Sequence, residues 1–404
     1  MESVEQKFLR YVQVDTPSDE NNFDVTPSTQ CQHNLARMLC DELRAMGLEA
    51  EVTPNAYVYS AIPANCVGGT AIGLIAHIDV VGEPKGYGVK PMVHKNYEGG
   101  DIALKEGVIS PEKFPELDGY KGKDIITSDG TTVLGADDKA GVAEIMALAE
   151  YLTAHPEIRH GRIGIAFTPD EEIGHGAALF DVKKFGCQFA YTVDGEELGE
   201  ISYETFNGAS FEMCITGVNI HPGQAKGRMI NAVAVANDII AEFPKAERPE
   251  TTEGREGYYF IMAIEGGVEK CVLHGIIRDH DGKKFEERKQ FVRSVAEKYS
   301  ALYGGRVSLT LKDQYRNCAD VIVPHMHLVE NVQKAMREEG VEPITQPIRG
   351  GTDGSQLSYM GLPCPNICTG GRNAHGLNEF IAVQDMEKVV KILLRIVCAY
   401  TKQS

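Results

Sequence analysis

Positive charge is scarce in this sequence of 404 residues: 40 Lys and Arg stand against 58 Asp and Glu, a formal net charge of −18. Nucleic acid and anionic membranes bind through basic patches, so neither is expected as a partner, and the acidity reads first as solubility. No uninterrupted apolar run is long enough to span a bilayer. The opening residues, MESVEQKFLRYV, lack the basic start and apolar stretch of a secretion signal. The ten cysteines include no Cys-x-x-Cys pair, and the closest two, Cys364 and Cys368, are too irregular for a zinc ribbon or redox motif. Cys214 and Cys398 lie in apolar contexts and read as reduced core residues. No G-x-G-x-x-G follows the first strand, which disfavours a Rossmann dehydrogenase. Repeats and low-complexity segments are absent as well. What these gaps leave is a cytoplasmic enzyme, too long for one ordinary core and so expected to fold as two domains.

The first half alternates helix and strand patterns. Leu35, Met38, Leu39, Leu43 and Met46 recur at helical spacing, and Gly47 follows as a stop. Residues 71–80, 162–168 and 189–193 are short apolar strands, and residues 139–154 an apolar helix. Such alternation predicts a mixed, mostly parallel sheet flanked by helices. Residues 83–131, dense in Gly, Pro, Lys and Asp, read only as a long polar connection over the surface. After residue 204 the pattern changes to β-α-β-β-α-β, the order of a ferredoxin-like α+β module. A helix near residues 327–337, an apolar stretch at 362–368 and a closing helix at 384–400 follow. The predicted organisation is one catalytic domain, residues 1–205 and 314–404, interrupted by an inserted domain at 206–313.

Against that frame stand seven acidic and histidine residues, each expected at or just past a strand end. His77 and Asp79 lie in AIGLIAHIDV, Asp137 in LGADDKAG, Glu171 and Glu172 in AFTPDEEIG, Asp194 in YTVDG and His375 in GRNAHG. Each has a plain reading: a satisfied core histidine, an aspartate capping a helix, a solvated acidic turn. Asp79, two residues past His77 on an extended chain, shares its side-chain direction and could hold its imidazole. Ligands collect beyond the carboxyl ends of strands in open α/β sheets. Two imidazoles, several carboxylates and one acid left over as a base make up a site for two divalent metals and metal-assisted hydrolysis.

These residues, with the stretches SDGTTVLGADDKAG, NIHPGQAKG, IIRDHD, PIRGGTDGSQLSYMGLPCPN and TGGRNAHG, resemble the zinc-dependent aminoacylase/carboxypeptidase family of co-catalytic metallopeptidases over nearly the full length. The resemblance implies two zinc ions per chain, with cobalt or manganese able to substitute. It makes Asp137 the bridge, His77 and Asp194 the remaining ligands of one metal, and Glu172 and His375 those of the other. Glu171 becomes the general base and Asp79 the orienter of His77, and a cis peptide is implied at Asp137–Asp138. The insert becomes a lid, with His221 polarising the scissile carbonyl and Arg278 binding the substrate's terminal carboxylate. Asn317, Arg349 and Asp353 match further substrate-cleft positions. The implied activity is release of the N-terminal residue from tripeptides; the implied partners are small peptides, and a homodimer stays open. A dipeptidase or N-acyl amino acid deacylase of the same architecture, and a metal-binding protein without activity, are the competing readings.

Overall fold

A computed structural model describes residues 1–401. The chain divides into two compact units. Met1–Tyr203, Asp320–Gln346 and the chain from Thr352 onward form one; Glu204–Ala319 and Pro347–Gly351 form the other.

The first unit is built on an eight-stranded sheet in the order Ala50–Val52, Val58–Ile62, Ile163–Thr168, Ile72–His77, Phe189–Gly195, Asn366–Cys368, Glu200–Ser202, Ile344–Thr345. Four of its seven pairings are parallel and three antiparallel, giving the mixed, mostly parallel sheet expected. Ile72–His77 and Ile163–Thr168 are buried at every position, the mark of central strands covered on both faces. Helix Ala136–Ala154 is buried on nearly all sides. It packs on strands Ile72–His77 and Phe189–Gly195 and on helices Val4–Tyr11 and Val383–Ala399. At Gly141 it comes so close to the sheet that a Cβ there would lie 1.9 Å from the Val193 carbonyl oxygen.

Residues 83–131 are more ordered than their composition suggested. Met92–His94 and Ile125–Thr127 join Phe380–Ala382 and Gly371–Arg372 in a four-stranded antiparallel sheet. Tyr97, Ile102, Ile109, Leu117, Tyr120 and Ile125 close a small core with Phe380. These apolar residues are spaced singly among Gly, Pro and charged residues, so no periodicity revealed them.

In the second unit, strands Tyr258–Gly266, Lys270–Asp279, Asn207–Thr216 and Val307–Tyr315 form an antiparallel sheet in that spatial order. Alternate residues Ala209, Phe211, Met213 and Ile215 bury against helices Ala232–Glu242 and Gly282–Leu302, as period-2 alternation dictates. The unit runs past the expected 206–313 at both ends and takes back residues 347–351. That return is pinned by the Thr205–Ile348 bridge, by the Phe206 N–H donating to Gly350, and by the Arg349 guanidinium over the Phe206 ring.

Candidate metal centre

His77 ends a central strand, in register with Thr168 of the parallel neighbour, and Asp194 lies near the end of Phe189–Gly195. Glu171 and Glu172 follow Ile163–Thr168 by three and four residues. His375 lies in the turn between Gly371–Arg372 and Phe380–Ala382, with a left-handed φ of 61°. Parallel strands thus deliver four of these residues to one edge of the sheet. His77 Nε2 is 2.9 Å from Asp137 Oδ1 and 3.4 Å from Asp194 Oδ1. His375 Nε2 is 3.2 Å from Asp137 Oδ2 and 2.8 Å from Glu172 Oε2. Two donor groups result, His77–Asp137–Asp194 and Asp137–Glu172–His375, each within 4.8 Å and both containing Asp137. Glu171 belongs to neither.

One expectation needs correction: Asp137 is not at a strand end. Residues 128–135 form no strand, and Asp137 lies in the first turn of helix Ala136–Ala154 with non-helical angles (φ −83°, ψ 105°). The peptide joining it to Asp138 is cis. A single carboxylate, Glu379, replaces the ladder here: it accepts the Leu134 and Gly135 N–H groups at 2.7 Å and the Asp137 N–H at 3.0 Å. The aspartate that caps is Asp138: past the kink its carboxylate meets the N–H three residues on, whereas Gly135 before it offers no side chain. Asp138 accepts from Gly141 N at 3.2 Å and from His77 N at 3.1 Å, tying helix to strand.

Asp79 does more than the spacing promised. Its carboxylate lies 3.4 Å from His77 Nδ1, whose nearer partner is the Asp79 carbonyl oxygen at 3.1 Å. The same carboxylate accepts the Glu171 and Glu172 N–H groups at 3.0 and 3.2 Å. Asp170, at φ 57°, is clamped from the other side by Ser28 and by the Gln32 amide, at 2.6–2.7 Å. Sequence reasoning missed Ser28, Gln32, Asp170 and Glu379. Of these only Asp170 lies inside a motif already singled out, AFTPDEEIG.

Burial and mutual repulsion dominate the electrostatics. Burial, then Asp194, raises the Glu171 carboxyl well above its usual range. Burial, then Asp137, pushes Glu172 up to about 7. Asp194 rises to about 6, again through burial, with His77 partly offsetting it. Burial would raise Asp137 too, but hydrogen bonds from His375 and His77 outweigh it and hold that carboxyl low. Donating to Asp137 and Glu172 lifts His375 to about 11. The acids therefore exceed what two imidazoles balance, an excess that divalent cations relieve. Imidazole nitrogens and carboxylate oxygens without thiolate suit zinc, cobalt or manganese, so the donor set fits a metal pair. A cavity of about 410 Å³ adjoins Glu172, lined also by Pro17, Asp19, Val81, Glu83 and Tyr87.

The remaining residues have local partners. His221 is exposed and caps its own turn, Nδ1 accepting from Gly223 N at 3.2 Å. The Arg278 guanidinium donates to the Ala209 and Ile277 carbonyls and lies 5.0 Å over the Tyr315 ring. Asn317 accepts from Thr205 N and donates to the His280 carbonyl. Arg349 donates to the Gly254 and Glu256 carbonyls and to Thr252. These four belong to the second unit. Asp353 is in the first, 2% exposed and packed on Gly176, its carboxyl raised by burial to about 7.

Residues 132–399 match peptidase family M20/M25/M40. The chain is 51% identical to a peptidase T of Clostridium perfringens and 48% identical to one of Alkaliphilus oremlandii, each over all of both chains. Among solved structures it shares its fold with an aminopeptidase PepT from Bacillus cereus (TM-score 0.78, 23% identity, 98% of each chain). It does so equally with a tripeptidase from Staphylococcus aureus (TM-score 0.79, 22% identity, 99% and 98%). No helix among the described residues is long and apolar enough to cross a membrane. The chain belongs to peptidase family M20/M25/M40 and is a metal-dependent peptide hydrolase.

Proposed function

We propose that the protein is a two-zinc aminopeptidase that releases the N-terminal residue from tripeptides in the cytoplasm. The observation that carries the hydrolytic reading is the sharing of Asp137 between two donor groups while Glu171 stays outside both. The tripeptide preference is supported by full-length similarity to proteins called peptidase T. His77, Asp137 and Asp194 would hold one cation and Asp137, Glu172 and His375 the other; bound there, zinc supplies Lewis acidity toward water and the scissile carbonyl.

The chain's own groups do the rest. Glu171, whose proton affinity is raised by burial and Asp194, takes a proton from the attacking water and returns it to the leaving amine. Asp79 fixes the Nδ1 side of His77 and the backbone of both glutamates, so ligand and base share one anchor. The cavity beside Glu172 has room for the side chain of the N-terminal residue. The limit on peptide length is assigned to Arg278 and polarisation of the carbonyl to His221.

The test is hydrolysis of Ala-Ala-Ala, Ala-Ala and N-acetyl-Ala-Ala-Ala with zinc, cobalt or manganese. Release of alanine from the free tripeptide alone is expected. Preferential cleavage of the blocked peptide would instead show a deacylase, and of Ala-Ala a dipeptidase. Arg278→Ala should reduce kcat/KM for Ala-Ala-Ala far more than for its C-terminal amide; equal losses would remove Arg278 from substrate recognition.

A further inference from the structure

Glu379 is a buried acid with no part in the chemistry above, and every bond it makes is to the frame of the site. One oxygen accepts two N–H groups, Leu134 and Gly135, and the other accepts that of Asp137. Its own N–H donates to the Gly376 carbonyl at 3.2 Å, so it closes the turn that carries His375. The next residue, Phe380, begins a strand paired with Ile125–Thr127. Asp137 and His375, 238 residues apart (375 − 137), are thereby mounted on one support. The other donor group is anchored differently. His77 sits on a ladder of the central sheet, Asp194 lies between the paired Val193 and Gly195 of the next strand, and Asp138 bonds the His77 N–H from the helix side.

We propose that Glu379 is a positioning residue that holds Asp137 and His375 as a unit, and that its loss selectively weakens the cation held by Asp137, Glu172 and His375. The cation held by His77, Asp137 and Asp194 loses little affinity: it shares Asp137, but the Asp138 bond to the His77 N–H still ties that segment to the strand of His77. This rests on the two-metal reading of the site. It follows from geometry: removing the Glu379 carboxylate frees three backbone donors around Asp137 and unties them from the turn that carries His375, whose own backbone bond remains, but breaks no bond to His77 or Asp194.

The experiment is a titration of the metal-free, full-length protein with Co²⁺, following visible absorption and bound equivalents by equilibrium dialysis. The parent protein should bind two equivalents. Glu379→Gln, which keeps the shape but turns one acceptor into a donor, should bind the first equivalent within about twofold of the parent. The second should weaken about 10- to 100-fold, the usual effect of removing a partner behind a ligand. Excess Co²⁺ should then restore peptide hydrolysis, a rescue that a general folding defect would not allow. If Glu379→Gln fails to fold, Glu379→Asp, which retains the charge on a shorter arm, undergoes the same titration. Equal weakening of both equivalents, or two equivalents of parental affinity, would overturn the proposal. Fewer than two equivalents in the parent protein would overturn the two-metal reading and this inference with it.

Discussion

Glu171 and Glu172 are adjacent in sequence and share one anchor, Asp79, but differ in what surrounds them. Glu172 lies against His375 and is in one donor group with it and Asp137, whereas Glu171 belongs to neither group. Glu171→Gln should therefore lower kcat by about two to four orders of magnitude while metal content, measured by atomic absorption, stays at the parental value. Near-normal turnover would remove Glu171 as the base. Asp79→Ala strikes both the His77 ring and the two glutamate N–H groups, so it should weaken metal binding about 10- to 100-fold and also depress kcat at saturating metal. At this scale much was readable in advance. The His-x-Asp pair, the doubled glutamate and the Gly-rich turn around His375 are local patterns. Glu379, Ser28 and Gln32 were not readable, because their partners are backbone groups or acids 138–245 positions away and nothing beside them in the chain announces it.

Helix Ala136–Ala154 is the element on which the site turns. Gly141 lets it lie against the backbone of the strand that carries Asp194. Gly141→Ala must push the helix off that strand, at a cost of about 1–3 kcal/mol, and move Asp137 away from Asp194. Thermal melting and metal affinity should fall together; a stable variant with normal affinity would contradict the close approach. One turn further on, Glu144 is wholly buried with no hydrogen-bond partner for either oxygen, and burial, then Asp385, holds its carboxyl well above the usual range. The folded state keeps a proton that the unfolded state releases above about pH 4.3. Its contribution to stability is full below that value and is lost as pH rises toward the folded pKa. Glu144→Gln should flatten part of the decline in melting temperature between pH 5 and pH 8; an unchanged slope would mean Glu144 is ionised in the fold. This helix also shows where sequence reading fails. Val133 and Leu134 look like a strand end, yet the Val133 N–H donates to the Lys85 carbonyl and the Leu134 N–H to Glu379, neither of them on a neighbouring strand.

For the whole molecule, the alternation of apolar residues was enough to separate a parallel-sheet unit from an antiparallel β-α-β-β-α-β unit, because the two sheets are buried differently. It did not assign residues 347–351 to the second unit, since a five-residue return held by one bridge and a stacked arginine has no periodicity. Nor did it find the strands within residues 83–131, each only two or three residues long. All the donor groups lie in the first unit, so metal should stabilise that unit. At free metal a hundredfold above Kd, each site adds about 2.7 kcal/mol. Chelation should lower the calorimetric transition accordingly, and an unshifted transition would mean that the groups bind no metal in the folded state.

The interruption of the first unit also sets an order of events on the ribosome. His77, Asp137 and Asp194 are all made before the insert, whereas His375 follows Asp194 by 181 residues (375 − 194). At about 5–20 residues per second, that is a delay of roughly 9–36 s. Throughout it the nascent chain owns one complete donor group and only two-thirds of the other. A chain stopped anywhere between residues 194 and 374 would hold the residues of one donor group and lack His375 of the other, so on the two-metal reading the position of a single histidine keeps an unfinished chain from cutting peptides.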